Sequence, residues 1–441
     1  MNAALAPAAA PAAIALRAGD LSAALAPHKP VVASPVLPRH ALVHLVARDA
    51  STVTLRTCDG RHDLTTEAAG EVTGRVDVLC DAAELAEVVG RMDPARPLRV
   101  EVERTELRLT QGRRTVRLAR VEGEILAPLC DPAAAPARGA WYQVEAAPLA
   151  AMLRAARRMA SADTTRGSIF GVQLAVLGPW AYVGASDGVR VITLRRSCVA
   201  APEGAVRAWG LFLSDATVGA WVDLLGRADG CAELWVPSAD ARGVAYRADQ
   251  SVPAAPTWEA LFAALKFYGW ANGKNPDAAV LRVPGASLAA RTMQAEPADI
   301  TGPHGYAQGM DHVVRAAPEA LASALRAAVV TCDRDKSLLP VIEACVALGA
   351  APALVVSSSS RRGSATEERV EVVEAEGNKT PAAINPRLLL EAVETARVLG
   401  EDTDVRVAWG AERQSSMWGT CAAGYSVEDA PWWVTTVGIS R

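Results

Sequence analysis

Arg166-Gly-Ser-Ile169-Phe-Gly171-Val172-Gln-Leu174, then after a Gly178-Pro179 break Val183-Gly-Ala-Ser186-Asp187-Gly188-Val189-Arg190-Val191, carries more of the architecture than any other part of the chain. The apolar run 169–177 predicts one strand and residues 180–185 a second. Ser186-Asp187-Gly188 closes them into a tight turn, because Asp can bond its own backbone and Gly tolerates positive φ. Residues on either side of this hairpin predict helices: Pro148-Leu-Ala-Ala-Met-Leu153 before it and a run starting near Ser214 after it.

Moving outward, the order of strand, polar cap and amphipathic helix recurs. First helices are predicted near Asp20, Pro148 and Pro318, and second helices near Asp81, Ser214 and Asn385. The intervals are 81 − 20 = 61, 214 − 148 = 66 and 385 − 318 = 67. Asp81 has Glu84 three residues on, a capping-box pattern; Asn385 precedes a Pro suited to the first helical position. Strand-like runs follow at 98–121, 232–252 and 405–437. In Leu98-Arg-Val-Glu-Val-Glu103 the alternation is that of a half-buried antiparallel strand. The first helices stand 148 − 20 = 128 and 318 − 148 = 170 residues apart, and the excess predicts an insertion or linker at 267–310. Its Gly269-Trp-Ala-Asn-Gly273-Lys274-Asn275 glances at a phosphate-binding loop. It is one residue short between the glycines, has Asn275 for the Ser/Thr, and follows no clear strand.

With these residues on the page, the chain resembles the bacterial β sliding clamp family, the processivity subunits of replicative DNA polymerase. In that family an Arg-x-x-Leu-x-Gly-Val strand precedes a Thr-Asp-Gly-His-Arg-Leu turn; here they read Arg166 to Val172 and Ser186 to Val191, with Val189 in place of the His. Pro35-Val36-Leu37-Pro38 marks the first unit, and Glu367-Glu368-Arg-Val-Glu371-Val and Ala383-Ile384-Asn385 echo the third. The resemblance implies an α+β chain of three tandem DNA-clamp-fold domains, each with two helices and antiparallel sheets, forming a head-to-tail ring dimer. The expected division is a disordered Ala/Pro tail (1–13), clamp domains at 14–130, 140–266 and 311–441, and the 267–310 linker.

The same resemblance implies three sets of residues. Helices lining a ring would present Arg154, Arg157, Arg158, Arg166, Arg326, Arg334, Lys336, Arg387 and Arg397 to double-stranded DNA, through phosphates and without reading bases. A partner-peptide pocket would be built from Ile169, Ser186, Gly188, Val189, Arg190, Val191, Pro256, Leu261, Val437, Gly438 and Ile439. Val437-Gly438-Ile439 stands where the family has a Met-Pro-Met-Arg type end. The dimer interface would pack Val116 and Leu118 on Val329 and Val330 of a second copy, with Arg113, Arg114 and Arg117 facing Glu367, Glu368 and Glu371.

Composition narrows the alternatives. Hydrophobic residues form 51% of 441, enough for a large core in about three domains. A net charge of −4 argues against a protein basic on every face, though not against cations gathered on one surface. The eight cysteines form no Cys-x-x-Cys pair and read as small apolar residues of a reducing, cytoplasmic compartment. Residues 1–13 lack the basic start of a signal peptide, and no apolar run reaches membrane-span length. The six histidines have no metal-ligand spacing, and neither a nucleophile elbow nor a dinucleotide fingerprint is present. No enzyme activity, cofactor, metal or membrane is therefore expected. The expected function is a DNA sliding clamp that tethers polymerase and clamp loader through short peptides. The alternative is a clamp-derived peptide-binding scaffold that does not encircle DNA.

Overall fold

Alternating burial along short segments, interrupted by apolar-striped helices, produces one order three times among the described residues: one strand, a helix, four or five strands, a second helix, three strands, with an extra one-turn helix in the first repeat. The computed structural model describes residues 12–33, 35–47, 49–130, 139–188, 190–200, 208–237, 278–293, 312–332, 344–348, 353–359, 363–376, 382–384, 386–398, 404–409, 415–419 and 432–436. The first repeat holds β1 (Ala12–Arg17), α1 (Ala18–Leu25), the one-turn α2 (Lys29–Val32), β2 (Leu42–Ala47), β3 (Thr52–Cys58), β4 (His62–Ala69), the short β5 (Glu71–Thr73) and β6 (Asp77–Asp81). It ends with α3 (Ala82–Gly90), β7 (Pro97–Val102), β8 (Glu106–Gln111) and β9 (Arg114–Ala119). The second holds β10 (Gly139–Glu145), α4 (Ala146–Arg157), β11 (Val172–Leu177), β12 (Trp180–Ser186), β13 (Arg190–Ser197), the two-residue β14 (Val199–Ala200), β15 (Ala208–Leu213), α5 (Asp215–Leu225), β16 (Cys231–Pro237), β17 (Ala278–Val283) and β18 (Ala286–Arg291). The third holds β19 (His312–Ala316), α6 (Pro318–Thr331), β20 (Ala344–Leu348), β21 (Ala353–Ser359), β22 (Ala365–Glu376), β23 (Ala382–Ile384), α7 (Pro386–Val398), β24 (Val405–Trp409), β25 (Ser415–Gly419) and β26 (Trp432–Thr436).

Three early elements of the repeat keep a constant spacing. The offsets between the first two units are 146 − 18 = 128 for α1 and α4, 180 − 52 = 128 for β3 and β12, and 190 − 62 = 128 for β4 and β13. The linker expected at 267–310 is corrected here: it contains β17 and β18, which pair with each other and continue to β16 and β4. These are the last two strands of the second repeat, equivalent to β8 and β9. The surplus chain lies earlier, at residues 238–277 between β16 and β17, against 103–105 between β7 and β8. Half of β18 (ASLAAR) is Ala, and β17 (AAVLRV) has only Val280 and Val283 as β-formers, which hid the pair from a propensity reading.

Two compact units emerge from contacts. The first takes Met1–Gln143, Asp223–Ser238 and Pro276–Arg291. It has a five-stranded sheet, β5-β1-β7-β8-β9, and a second sheet that runs β10-β16-β17-β18-β4-β3-β2-β6. Leu107 and Leu109 point inward from β8 while Glu106 and Arg108 stay nearer solvent, the period-2 pattern of a strand with one buried face. Leu21 and Leu85 of α1 and α3 join Leu45, Leu55, Leu98, Leu107 and Leu109 in one core, each contributing roughly 1.5–3 kcal/mol. The capping expected at Asp81 is present: its carboxylate accepts the Glu84 N–H at 2.8 Å. The second unit carries one twelve-stranded sheet, β15-β11-β12-β13-β26-β25-β24-β19-β22-β21-β20-β23, in which β13 pairs with β26 and so joins second-repeat to third-repeat strands. On α4, Leu149, Met152, Leu153 and Ala156 are buried at helical spacing, leaving Arg154 and Arg157 outside.

His28 in the first unit illustrates a polar group inside the core. Its Nδ1 and Nε2 each lie 2.8 Å from a threonine hydroxyl, Thr57 and Thr66, and Thr66 in turn donates to Ala24 O at 3.0 Å. Thr66 therefore accepts from Nε2–H, and Thr57 donates to a bare Nδ1. Burial, with a smaller effect from the Arg227 cation, lowers the imidazole from 6.5 to about 3. The unfolded chain binds this proton below about pH 6.5 and the folded chain does not. Its contribution is fully present above that pH and falls by about 1.4 kcal/mol per pH unit below it. Chemical denaturation at pH 6.5 and 5.5 should show this loss, and His28→Gln should remove it.

Candidate functional site

The Asp-Gly turn between β12 and β13 is built by short local bonds. Asp187 Oδ1 accepts the Arg190 N–H at 2.7 Å, Asp187 N–H donates to Arg190 O at 3.2 Å, and Ser186 Oγ donates to Arg190 O at 2.8 Å and accepts the Gly188 N–H at 3.0 Å. Gly188 has φ of +90°, and a Cβ there would stand 2.6 Å from an Arg166 guanidinium nitrogen. Glycine is required by conformation; a side chain would also have to push the Arg166 guanidinium aside. Arg166 Nη1 also donates to Asp187 O at 3.2 Å, so the expected proximity of the two motifs is real. One local expectation is corrected. Residues 166–171 form turns instead of a strand, with the Ile169 and Phe170 N–H groups bonding Arg166 O at 2.9 and 3.0 Å, and β11 begins at Val172. The Asp163 carboxylate starts this turn by accepting the Thr165 N–H at 2.9 Å.

Ile169 and Val191 are both buried, and Ser161 N–H is shared between Ile169 O at 3.1 Å and Ser186 O at 3.2 Å, drawing the 169 backbone to the turn. Arg190, 8% exposed, lies between two carboxylates. Its Nε and Nη2 meet Asp187 Oδ2 at 2.8 and 2.7 Å, and its Nη1 meets Glu391 of α7. The guanidinium is thus engaged within the chain. Pro256 and Leu261 were expected on the segment following the second unit's last strand. They fall in sequence between β16 and β17, whereas the segment after β18 starts at Thr292. Val189, Pro256, Leu261, Val437, Gly438 and Ile439 lie outside the described residues.

The helix cations divide by partner. Arg154 and Arg158 are exposed, and neither has an ion-pair partner among the described residues. Arg157 is committed to Asp215 at the start of α5, at 2.6 and 2.8 Å, and its guanidinium also fills the space beside Gly219. Arg326 lies 3.4 Å from Glu319 and 3.3 Å from Glu394. Arg387 is exposed on the first turn of α7; Arg397 is on the same helix with its side chain outside the described residues, as are Arg334 and Lys336 altogether. Taken over α1, α3, α4, α5, α6 and α7, five arginines (154, 157, 326, 387, 397) stand against eight acids (Asp20, Glu84, Glu87, Asp215, Asp223, Glu319, Glu391, Glu394), a net 5 − 8 = −3. Of the arginines expected to face DNA, Arg154, Arg157 and Arg158 stand at the C-terminal end of α4, while Arg326, Arg387 and Arg397 are on α6 and α7.

Two of the sheet edges unpaired among the described residues carry the residues expected at an interface. β9 is the terminal strand of its sheet, and residues 365–371 of β22 pair with β21 on one side only, β19 pairing from Val372 onward. Arg114 and Arg117 on β9 and Glu367, Glu368 and Glu371 on β22 are exposed. Of the four apolar residues expected at an interface, Val330 is 75% exposed and Val116 and Val329 half-buried, but Leu118 belongs to its own unit's core.

Sequence reasoning missed Glu391, for which only its place on α7 was available, and a second Asp-Gly turn for which the signal was present. Cys58-Asp59-Gly60-Arg61-His62 repeats Ser186-Asp187-Gly188-Val189-Arg190 at the offset of 128. Asp59 accepts the His62 N–H at 2.6 Å and pairs with its ring at 3.0 Å, as Asp187 does with Arg190, and Gly60 has φ of +85°. Next to it Arg56 and Asp63 form a two-point pair at 2.8 Å each. Arg56 Nη2 donates to Leu126 O at 2.9 Å and Asp63 Oδ2 accepts the Leu129 N–H at 3.2 Å, fastening the chain after β9.

No group of three His, Cys, Asp or Glu side chains among the described residues could hold a metal ion, and none of the described helices is long and apolar enough to cross a membrane. No protein-family model matches the chain, and no curated protein matches it by sequence. Solved structures do match by shape. The DNA polymerase sliding clamp from Bacillus subtilis superposes with a TM-score of 0.75 at 14% identity, covering 98% of this chain and 100% of that one. The sliding clamp of Pseudomonas aeruginosa bound to griselimycin gives 0.75 at 13%, and the DNA polymerase III β subunit of Thermotoga maritima 0.74 at 12%, each with the same coverage. Across nearly its whole length, this chain has the fold of the bacterial sliding clamps.

Proposed function

We propose that the chain is a sliding clamp. Two copies would join head to tail, encircle duplex DNA without reading its sequence, and tether a polymerase and a clamp loader through short peptides. It would perform no chemistry of its own. The observation that carries this reading is the threefold element order together with a fold likeness spanning all of each solved clamp. The two unpaired edges support it: one is basic and one acidic, and a head-to-tail contact that joins different surfaces gives a closed ring when its rotation closes. The apolar pair Ile169 and Val191 beside the Asp187-Gly188 turn supports a peptide site that takes an apolar anchor.

A second reading keeps the peptide site and gives up the DNA. The net charge of −3 over six helices favours it, since phosphate contacts are what hold a protein on DNA. Arg154 and Arg158 favour the clamp, being exposed and one helical turn apart. One experiment separates the two. Protein placed on a nicked circular plasmid should remain bound through a high-salt wash and leave within minutes once the plasmid is linearised. Equal retention before and after linearisation, or no salt-resistant binding to the circle, would leave the scaffold reading.

A further inference from the structure

Arg190 raises a question that the peptide-site reading leaves open: which polar group meets a ligand there. A guanidinium has five N–H donors in a fixed fork, suited to carboxylates. Here one side of the fork is taken by Asp187, at 2.8 and 2.7 Å, and the Nη1 corner by Glu391. The arginine side chain is 10% exposed, whereas that of Glu391 is 44% exposed. The group that a ligand reaches is therefore the Glu391 carboxylate, with the cation behind it.

Glu391 is held in this place from both sides. Its own helix turn is braced by Thr395, whose hydroxyl donates to Glu391 O at 2.7 Å. Arg190 opens β13 and pairs with Thr436 of β26, so the strand carrying it is fixed to its neighbour. Arg166 is the other cation at this turn, and its guanidinium is seated over Gly188 and bonded to Asp187 O. Drawing a ligand's carboxylate onto Arg190 would require Glu391 to leave a charge-assisted bond, and would bring a third carboxylate beside Asp187 and Glu391. A ligand's ammonium or guanidinium would meet Glu391 without displacing anything.

We infer that Glu391 is the specificity-determining residue of the peptide site, selecting partner peptides that carry a Lys or Arg beside their apolar anchor and rejecting those with an acid there. This rests on the peptide-site reading above and names the chemistry of its partner. The test is calorimetric titration of the full chain with two versions of a Gln-x-x-Leu-Phe type peptide, one with Lys and one with Glu at the residue next to the Leu-Phe anchor. Wild type should bind the Lys peptide at least tenfold more tightly, and Glu391→Gln, which keeps a hydrogen bond to Arg190 without the charge, should reduce the preference to about twofold or less. Retained thermal unfolding in Glu391→Gln establishes that the variant is folded. Equal binding of both peptides by wild type, tighter binding of the Glu peptide, or a preference unchanged in Glu391→Gln would each overturn the inference while leaving the peptide site standing. Failure of wild type to bind either peptide would overturn the peptide site and the inference with it.

Discussion

Reversing Arg114 and Arg117 to Glu on β9 is expected to weaken self-association by about 100-fold or more, so that a chain forming a dimer of twice 46.1 kDa at micromolar concentration elutes as a monomer. The expectation follows from the two unpaired edges. β9 exposes Arg114 and Arg117 beside half-buried Val116 and buried Leu118, and residues 365–371 of β22 expose Glu367, Glu368 and Glu371. Each native ion pair across such an exposed rim contributes little, because water and salt screen it. The reversed chain differs in kind: it places like charges opposite one another along a strand pair, and that costs several kcal/mol. Within its own chain little is lost. Arg117 is 64% exposed in its pair with Glu106, and among the described residues Arg114 donates to Arg91 O alone. Light scattering gives the mass directly. A second chain with Glu367 and Glu368 changed to Arg should restore a mixed dimer with the reversed chain, an outcome that general unfolding of β9 could not produce. A persistent homodimer of the Arg114→Glu, Arg117→Glu protein would place the interface elsewhere.

What the sequence made legible was whatever repeats or caps. The helix starts near Asp81 and Pro318 and the turn at Asp187-Gly188 needed only short-range rules, and the structure has them within a residue or two. The 128-residue offset holds at β3 and β4 because both strands and the three-residue turn between them match β12, β13 and their turn in length. Two kinds of feature were not legible. Strands β17 and β18 are Ala-rich, and their stability comes from pairing to β16 and β4, which no local window contains. Charge commitment was the other. Arg154, Arg157 and Arg158 look alike on a helical wheel, yet among the described residues Arg157 alone of them has an ion-pair partner, an aspartate 215 − 157 = 58 residues away. A basic helix face counts cations, but only tertiary structure says which of them remain available to a phosphate.

The Arg56–Asp63 pair yields the second large effect. Asp63 is nearly buried and accepts both guanidinium nitrogens of Arg56 at 2.8 Å, while its Oδ2 also takes the Leu129 N–H. Asp63→Ala removes the countercharge from an arginine whose side chain is only 18% exposed, and it orphans a backbone donor as well. Breaking a buried pair from one side costs about 3–5 kcal/mol, since the remaining charge keeps its desolvation penalty without compensation. The partial exposure of Arg56 puts the expected value near the lower end. The double change Arg56→Met, Asp63→Leu should recover part of this, because neither charge is then buried alone. It cannot recover all of it, because Leu126 O and the Leu129 N–H still lose their partners, each at a cost of about 1 kcal/mol or more. Chemical denaturation of the three proteins should therefore rank wild type above the double variant and the double variant above Asp63→Ala. If the double variant proved no more stable than Asp63→Ala, the pair's main role would be to fasten residues 126–129 and not to balance buried charge.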